Sequence, residues 1–233
     1  MSTLVLLPGL DGTGRLFADF VAALGPDIEV VVASYPAHQP RGYAELETVV
    51  RAMLPTDRDY VLLGESFSGP LAISIAASAP ASLRGLILCC SFARNPLPVL
   101  APLRFLVGMF PVGMAPVSLL SYFLLGRFAS ARLRSALAAT IAAVAPSVLR
   151  QRVRAALTVD VSGALSCIRV PMLYLRASED RVVPRSASLL LSSRVANARV
   201  IEFDAPHFLL QVLPADAAAA VTCFMSRTVL GQP

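Results

Sequence analysis

Apolar residues along this chain fall into short, nearly unbroken runs separated by longer stretches of helical period. The runs at 3–7, 29–33, 60–64, 85–89, 172–176 and 199–203 are rich in Leu, Val and Ile and bounded by turn residues. A strand apolar on both sides is buried on both faces, as in a parallel sheet whose crossover helices cover it above and below. Helical periodicity occupies 15–24, 43–54, 69–79, 185–191 and 214–227. The alternation predicts an α/β fold, a mainly parallel sheet flanked by helices.

Residues 93–159 break the alternation. They read as helices interrupted at Pro96, Pro98, Pro102, Pro111, Pro116 and Pro146. The expected organisation is therefore a core of residues 1–92 and 160–233 carrying a helical, Arg-rich cap at 93–159. Inside the cap, residues 105–126 run for 22 positions without a charge, long enough to cross a bilayer. Gly108, Pro111, Gly113 and Pro116 break that run, and a span there would leave the strands on opposite sides of the membrane. The expectation is an apolar lid over a pocket, with contact to a membrane surface as the next reading and no transmembrane span.

Composition narrows the chemistry. At 233 residues, 56% hydrophobic and 15% charged, the chain suits one folded domain with an insertion and excludes bulk disorder. All 20 basic residues are Arg, so Schiff-base, pyridoxal-phosphate and P-loop lysine chemistry are excluded. Segment 93–159 holds eight of those Arg and no acid, a charge of +8; the remaining 12 Arg against 15 acids leave −3 elsewhere. Nucleic-acid recognition is not expected, because the basic segment is hydrophobic and carries no recognition motif. Cys89, Cys90, Cys167 and Cys223 lack metal-binding spacing and are expected to be buried, reduced thiols. With two His in the chain, no His-rich metal site is available, and neither metal nor cofactor is called for. The first residues lack the basic start of a signal peptide, so a cytoplasmic location is the expectation.

The strand at 60–64 leads into Gly64-Glu65-Ser66-Phe67-Ser68-Gly69 and then a helix. A serine on a sharp strand-to-helix turn is lifted clear of the sheet, and the N–H that follows it lies at a helix N-terminus, where an oxyanion is stabilised. Two later strands end in equally suggestive loops. Asp180 lies in Ser178-Glu179-Asp180-Arg181-Val182-Val183-Pro184, and His207 in Asp204-Ala205-Pro206-His207-Phe208. Each of the three follows the carboxyl end of its strand, where open α/β sheets place their sites. Glu179, Asp160 and Asp204 compete with Asp180 as the imidazole's carboxylate, and Asp204 is close enough in sequence to brace the ring. His38 reads as a loop residue near the pocket rim.

These motifs resemble the α/β-hydrolase superfamily over nearly the whole length. The resemblance rests on Leu7-Pro8-Gly9-Leu10 after the first strand, the Ser66 turn, the run from Asp180 to Pro184, and Pro206-His207-Phe208. An insertion after the strand at 85–89 stands where members of the superfamily carry a cap. The nearest likeness is to small bacterial carboxylesterases, including the group that cleaves pimeloyl-carrier-protein methyl esters. The chain departs in having Pro8-Gly9 where His-Gly is common, in a G-x-S-x-S-G turn, and in a reduced N-terminus that lacks the first two strands of larger members.

The resemblance implies a serine esterase with Ser66 as nucleophile, His207 as base and Asp180 as its orienting acid. The N–H groups of Leu10 and Phe67 would form the oxyanion hole, with Asp11 and Thr13 shaping the turn. The expected substrate is a small-molecule ester with an apolar acyl or alcohol part. Three other readings stand beside it: a thioesterase or carrier-protein ester hydrolase whose Arg-rich cap meets an acidic acyl carrier, an acyltransferase, and a silent ligand-binding protein. The Gly9–Gly14 turn also invites a dinucleotide-binding reading, but it lacks the third glycine and the second strand ends without a ribose-binding acid.

Overall fold

The computed structural model describes residues 3–98 and 116–229. Six strands form one parallel sheet: β1 Thr3–Leu7, β2 Glu29–Val32, β3 Tyr60–Glu65, β4 Leu83–Cys89, β5 Met172–Ala177 and β6 Ala198–Phe203, in the order β2-β1-β3-β4-β5-β6. Every predicted strand forms, with ends shifted by at most two residues. The central strands β1, β3, β4 and β5 are almost wholly buried, whereas the edge strands β2 and β6 are largely half-exposed.

Alternate residues of the central strands feed two cores. Val5, Leu7, Leu62, Leu86, Leu88 and Tyr174 pack on one face, while Leu4, Leu6, Val61, Leu63, Ile87 and Leu173 pack on the other. Helices α1 Ala18–Leu24, α2 Tyr43–Arg51 and α3 Gly69–Ala77 follow β1, β2 and β3. Helix α3 lies deep in the molecule, with seven of its nine residues buried, so it shows no polar face. Pro70 sits in its first turn, where a missing N–H costs nothing.

Between β4 and β5 the described residues form α4 Val117–Leu124, α5 Ala131–Ala142 and α6 Pro146–Ala156. Residues 105–115 of the long uncharged run lie outside the described residues, as do Pro102 and Pro111. Among the described residues no single helix is long and apolar enough to cross a membrane; α5 and α6 qualify only as a pair, and they meet at a bend of 100°. The chain closes with α7 Arg185–Arg194, α8 Leu209–Val212 and α9 Pro214–Val229.

Strand order decides where a site forms. The chain leaves β1 toward β2 on one side and returns to β3 on the other, so the loops after β1 and β3 diverge and leave a crevice between them. Leu10 and Ser66 stand on its two sides. The thiol expectation holds for Cys89 and Cys90, which are buried; Cys167 and Cys223 are instead exposed. Apolar neighbours in sequence do not bury a residue on the outer side of its helix, which is where Cys223 lies on α9.

Candidate active site

Ser66 occupies the turn between β3 and α3 with φ 47°. That left-handed conformation is strained for a residue with a Cβ, costing about 1–3 kcal/mol, and the surroundings hold it. The Ser66 carbonyl accepts a hydrogen bond from Ser91 Oγ at 2.5 Å, and a Cβ at Gly69 would overlap Ser91. Only glycine at 69 lets the helix start this close to the loop after β4.

The structure brings Ser66, His207 and Asp180 into one chain of hydrogen bonds. Ser66 Oγ lies 2.8 Å from His207 Nε2, and His207 Nδ1 lies 2.8 and 3.0 Å from the two Asp180 oxygens. Asp180 Oδ1 also accepts the N–H groups of Val182 and Val183, both at 2.8 Å. The side chains of His207 and Asp180 are only 4% and 5% exposed, so their coupling is little screened by water.

Burial opposes the charge on Asp180, yet the charge and hydrogen bond of His207 and the two N–H groups hold its carboxyl below the usual range. Burial likewise disfavours a charged His207. The Asp180 carboxylate, by charge and hydrogen bond, with Glu65 adding, outweighs it and holds the imidazole above its ordinary 6.5. Glu65, just before Ser66, is itself buried and pushed up to about 7 by that burial, an effect the Gln211 amide 2.9 Å away partly offsets.

The competing acids go elsewhere. Asp204 is exposed and pairs with Arg127 at 2.7 Å; Glu179 binds the same guanidinium at 2.7 Å. Asp160 accepts the N–H and hydroxyl of Ser162. Asp204 therefore does not brace the imidazole despite standing three residues from it, because its side chain points to solvent. His38 is exposed and lines no part of the cavity beside Ser66.

Leu10 and Phe67 both line that cavity. Among the described residues neither backbone N–H has a hydrogen-bond acceptor. Gly9 and Gly12 close a turn through Gly12 N–H to the Gly9 carbonyl at 3.0 Å. In a trans peptide the N–H points opposite to the C=O, so this bond aims the Leu10 N–H away from the turn's interior. Asp11 accepts from the N–H and hydroxyl of Thr13 at 2.8 and 2.6 Å, the turn-shaping role expected of the pair.

The cavity measures about 290 Å³, close to the liquid volume of ten waters. Its wall is apolar, including Leu16 and Phe208 of the core and Leu120, Phe123, Ile141 and Leu157 of the helical segment; Ser66, Asp11, Glu65 and His207 give it one polar end. Cys90, Asp180 and His207 place three potential metal-ligand atoms within 4.8 Å. Burial pushes the Cys90 thiol well up, and His207 Nδ1 is committed to Asp180, so the set suits proton transfer better than metal ligation.

Sequence reasoning passed over three neighbours. Ser68 donates to the Pro8 carbonyl and lies 2.5 Å from the Tyr35 hydroxyl, which explains a second serine in the G-x-S-x-S-G turn. Arg152, which shares α6 with Arg150 and Arg154, is 1% exposed; residues two apart on a helix cannot share one face, so the three cannot all be solvated alike.

A model of the family described as "Alpha/beta hydrolase family" matches residues 4–221. Among solved structures, a thermophilic esterase from Thermogutta terrifontis superposes with a TM-score of 0.83 at 17% identity, covering 98% of this chain and 90% of that one. The enol-lactonase from Burkholderia xenovorans LB400 gives 0.81 at 20% identity, covering 97% and 91%. At such identities the likeness is one of fold. Chloroplastic phytyl ester synthase 1 of Arabidopsis thaliana is 34% identical over 110 residues, 43% of this chain; the match spans 16% of that protein's length.

Proposed function

Because the chain belongs to the alpha/beta hydrolase family, we propose that it is a serine hydrolase of carboxylic esters with an apolar acyl or alcohol group. The observation that carries this reading is the Ser66–His207–Asp180 hydrogen-bond chain at the polar end of an apolar cavity. Ser66 Oγ attacks the acyl carbonyl and gives its proton to His207 Nε2. Asp180 holds the imidazole in the tautomer that leaves Nε2 free to accept, and stabilises the imidazolium. The N–H groups of Leu10 and Phe67 receive the oxyanion. Collapse expels the alcohol, which takes the proton from Nε2. Water then attacks the acyl-enzyme, passes a proton to Nε2, and the free acid departs as Ser66 recovers its own. Helices α4, α5 and α6 act as a cap that walls the cavity.

Transfer of the acyl group to an alcohol is the second reading, favoured by the similarity to an ester synthase and by a cavity wall that is apolar. The experiment is a panel of p-nitrophenyl esters of increasing acyl length beside acyl-CoA and acyl-carrier substrates, with and without a long-chain alcohol. Free acid from neutral esters is the expected product. New ester as the main product would make the enzyme a transferase, and activity confined to carrier-bound acyl groups would assign it an acidic partner. Preference for a short or medium acyl group is expected from the cavity size, with kcat/KM falling once the chain outgrows it.

The pH profile follows from the same pair. The base must be neutral to take the Ser66 proton, so activity falls as the medium acidifies through the His207 pKa. Since Asp180 holds that value up, the acid limb of kcat/KM should have its midpoint above 6.5, the ordinary imidazole value. In Asp180→Asn the residual activity should show the limb displaced to lower pH, because only Glu65 then opposes the effect of burial. A midpoint unchanged by the substitution would mean that His207 is not the titrating base.

A further inference from the structure

Helix α6 sends one side chain into the crevice beside the loop after β1. Arg152 Nη1 donates to the carbonyls of Leu10 at 3.0 Å and Asp11 at 2.6 Å, and Nη2 donates to the carbonyl of Pro36 at 3.0 Å. The guanidinium also stands 5.6 Å from the centre of the Tyr35 ring. Gly12 leaves it room: with φ +68°, a Cβ there would meet Arg152 Nη1 at 2.5 Å and Cζ at 2.9 Å.

A buried guanidinium is costly unless its donors are met. Among the described residues no carboxylate lies within ion-pair distance of Arg152. Its partners are main-chain carbonyls. Two of them belong to successive residues and converge on one nitrogen, an arrangement in which their dipoles repel each other unless a cation sits between them. The peptides so held, after Leu10 and after Asp11, directly follow the one that carries the Leu10 N–H. Tyr35, beneath the guanidinium, continues the connection to Ser68 and so to the Pro8 carbonyl at the end of β1.

We propose that Arg152 is a positioning residue that fixes the oxyanion loop, so that the seating of α6 against the loops after β1 and β2 sets the rate of acyl transfer. The proposal rests on the reading of Ser66 as nucleophile and of the Leu10 N–H as an oxyanion donor. It assigns one of the eight cap arginines a task unrelated to charge steering. It also couples the helical segment to the chemistry, because the guanidinium reaches the Leu10 and Asp11 carbonyls only from where α6 is seated.

The test compares parent enzyme, Arg152→Gln and Arg152→Lys on a short neutral p-nitrophenyl ester, with rates expressed per Ser66 labelled by a fluorophosphonate. That normalisation counts only folded sites. A trifluoromethyl ketone, which forms a tetrahedral oxyanion adduct on Ser66, reports the hole directly. Arg152→Gln should lower kcat by about 10- to 100-fold, as a misplaced oxyanion donor does. KM should stay within about twofold, the signature of an interaction made only in the transition state, and the ketone's inhibition constant should rise in step with the loss in kcat. Arg152→Lys keeps the charge but loses the fork, so it should show the same pattern more weakly, and it decides the matter if the Gln variant does not fold. Parent-like kcat and ketone affinity in labelled variants would overturn the proposal while leaving Ser66 in place. A higher KM with unchanged ketone affinity would also overturn it, making Arg152 a substrate-binding residue. A parent enzyme that fails to label at Ser66 would overturn the proposal together with the reading beneath it.

Discussion

Ser66→Ala should reduce ester turnover by about 10⁶-fold, the loss seen when a triad nucleophile is removed, with substrate binding little changed. The alanine keeps the Cβ, so the strained turn and its packing against Ser91 remain and the loss falls on chemistry. A fluorophosphonate should label Ser66 in the parent and nothing in the variant. Ser68, two residues on, should stay unlabelled: it is fully buried and its hydroxyl is engaged by Pro8 and Tyr35. Labelling at Ser68, or turnover preserved in the folded variant, would remove Ser66 from the mechanism.

Asp180→Asn should cost about four orders of magnitude in kcat, as for the equivalent change in a protease triad. The reason lies in the two N–H groups of Val182 and Val183, which require an acceptor at Oδ1. An asparagine satisfies them only by turning its carbonyl oxygen toward them, which points its NH₂ at His207 Nδ1. The imidazole must then carry its proton on Nε2 and has no lone pair to offer Ser66. Asp204→Asn should leave kcat close to the parent value, since its exposed pair with Arg127 is of the kind worth little in water. The opposite ranking, measured on purified folded variants, would transfer the orienting role to Asp204.

The two acids show how far a sequence can be read. Both follow strands, both carry the same group, and Asp204 is the nearer to His207 along the chain. What separates them is the direction of the loops: the chain after β5 folds back so that Val182 and Val183 clasp Asp180 beneath the ring, while Asp204 leaves β6 facing solvent and Arg127. The cysteines teach the same lesson. Cys89 is buried by its place in a central strand, which an apolar run does signal, whereas Cys223 lies on a helix in an equally apolar stretch and faces outward. Apolar density predicts that a segment is buried but not which of its residues are.

Strand runs, helical period and turn chemistry are local properties, so the parallel sheet, the positions of its six strands to within two residues, and the turns that hold Ser66, Asp180 and His207 are legible in the order of residues alone. Strand order, the pairing of His207 with Asp180 and not with Asp204, the lock between Ser68 and Pro8, and the burial of Arg152 against Leu10 emerge only when the chain is folded. Arg152 and Leu10 stand 142 residues apart. Within α6, Arg150, Arg152 and Arg154 are chemically identical. Only the packing of that helix against the loops after β1 and β2 turns one of them inward, where the three carbonyls that hold it come from segments that no short window of sequence contains.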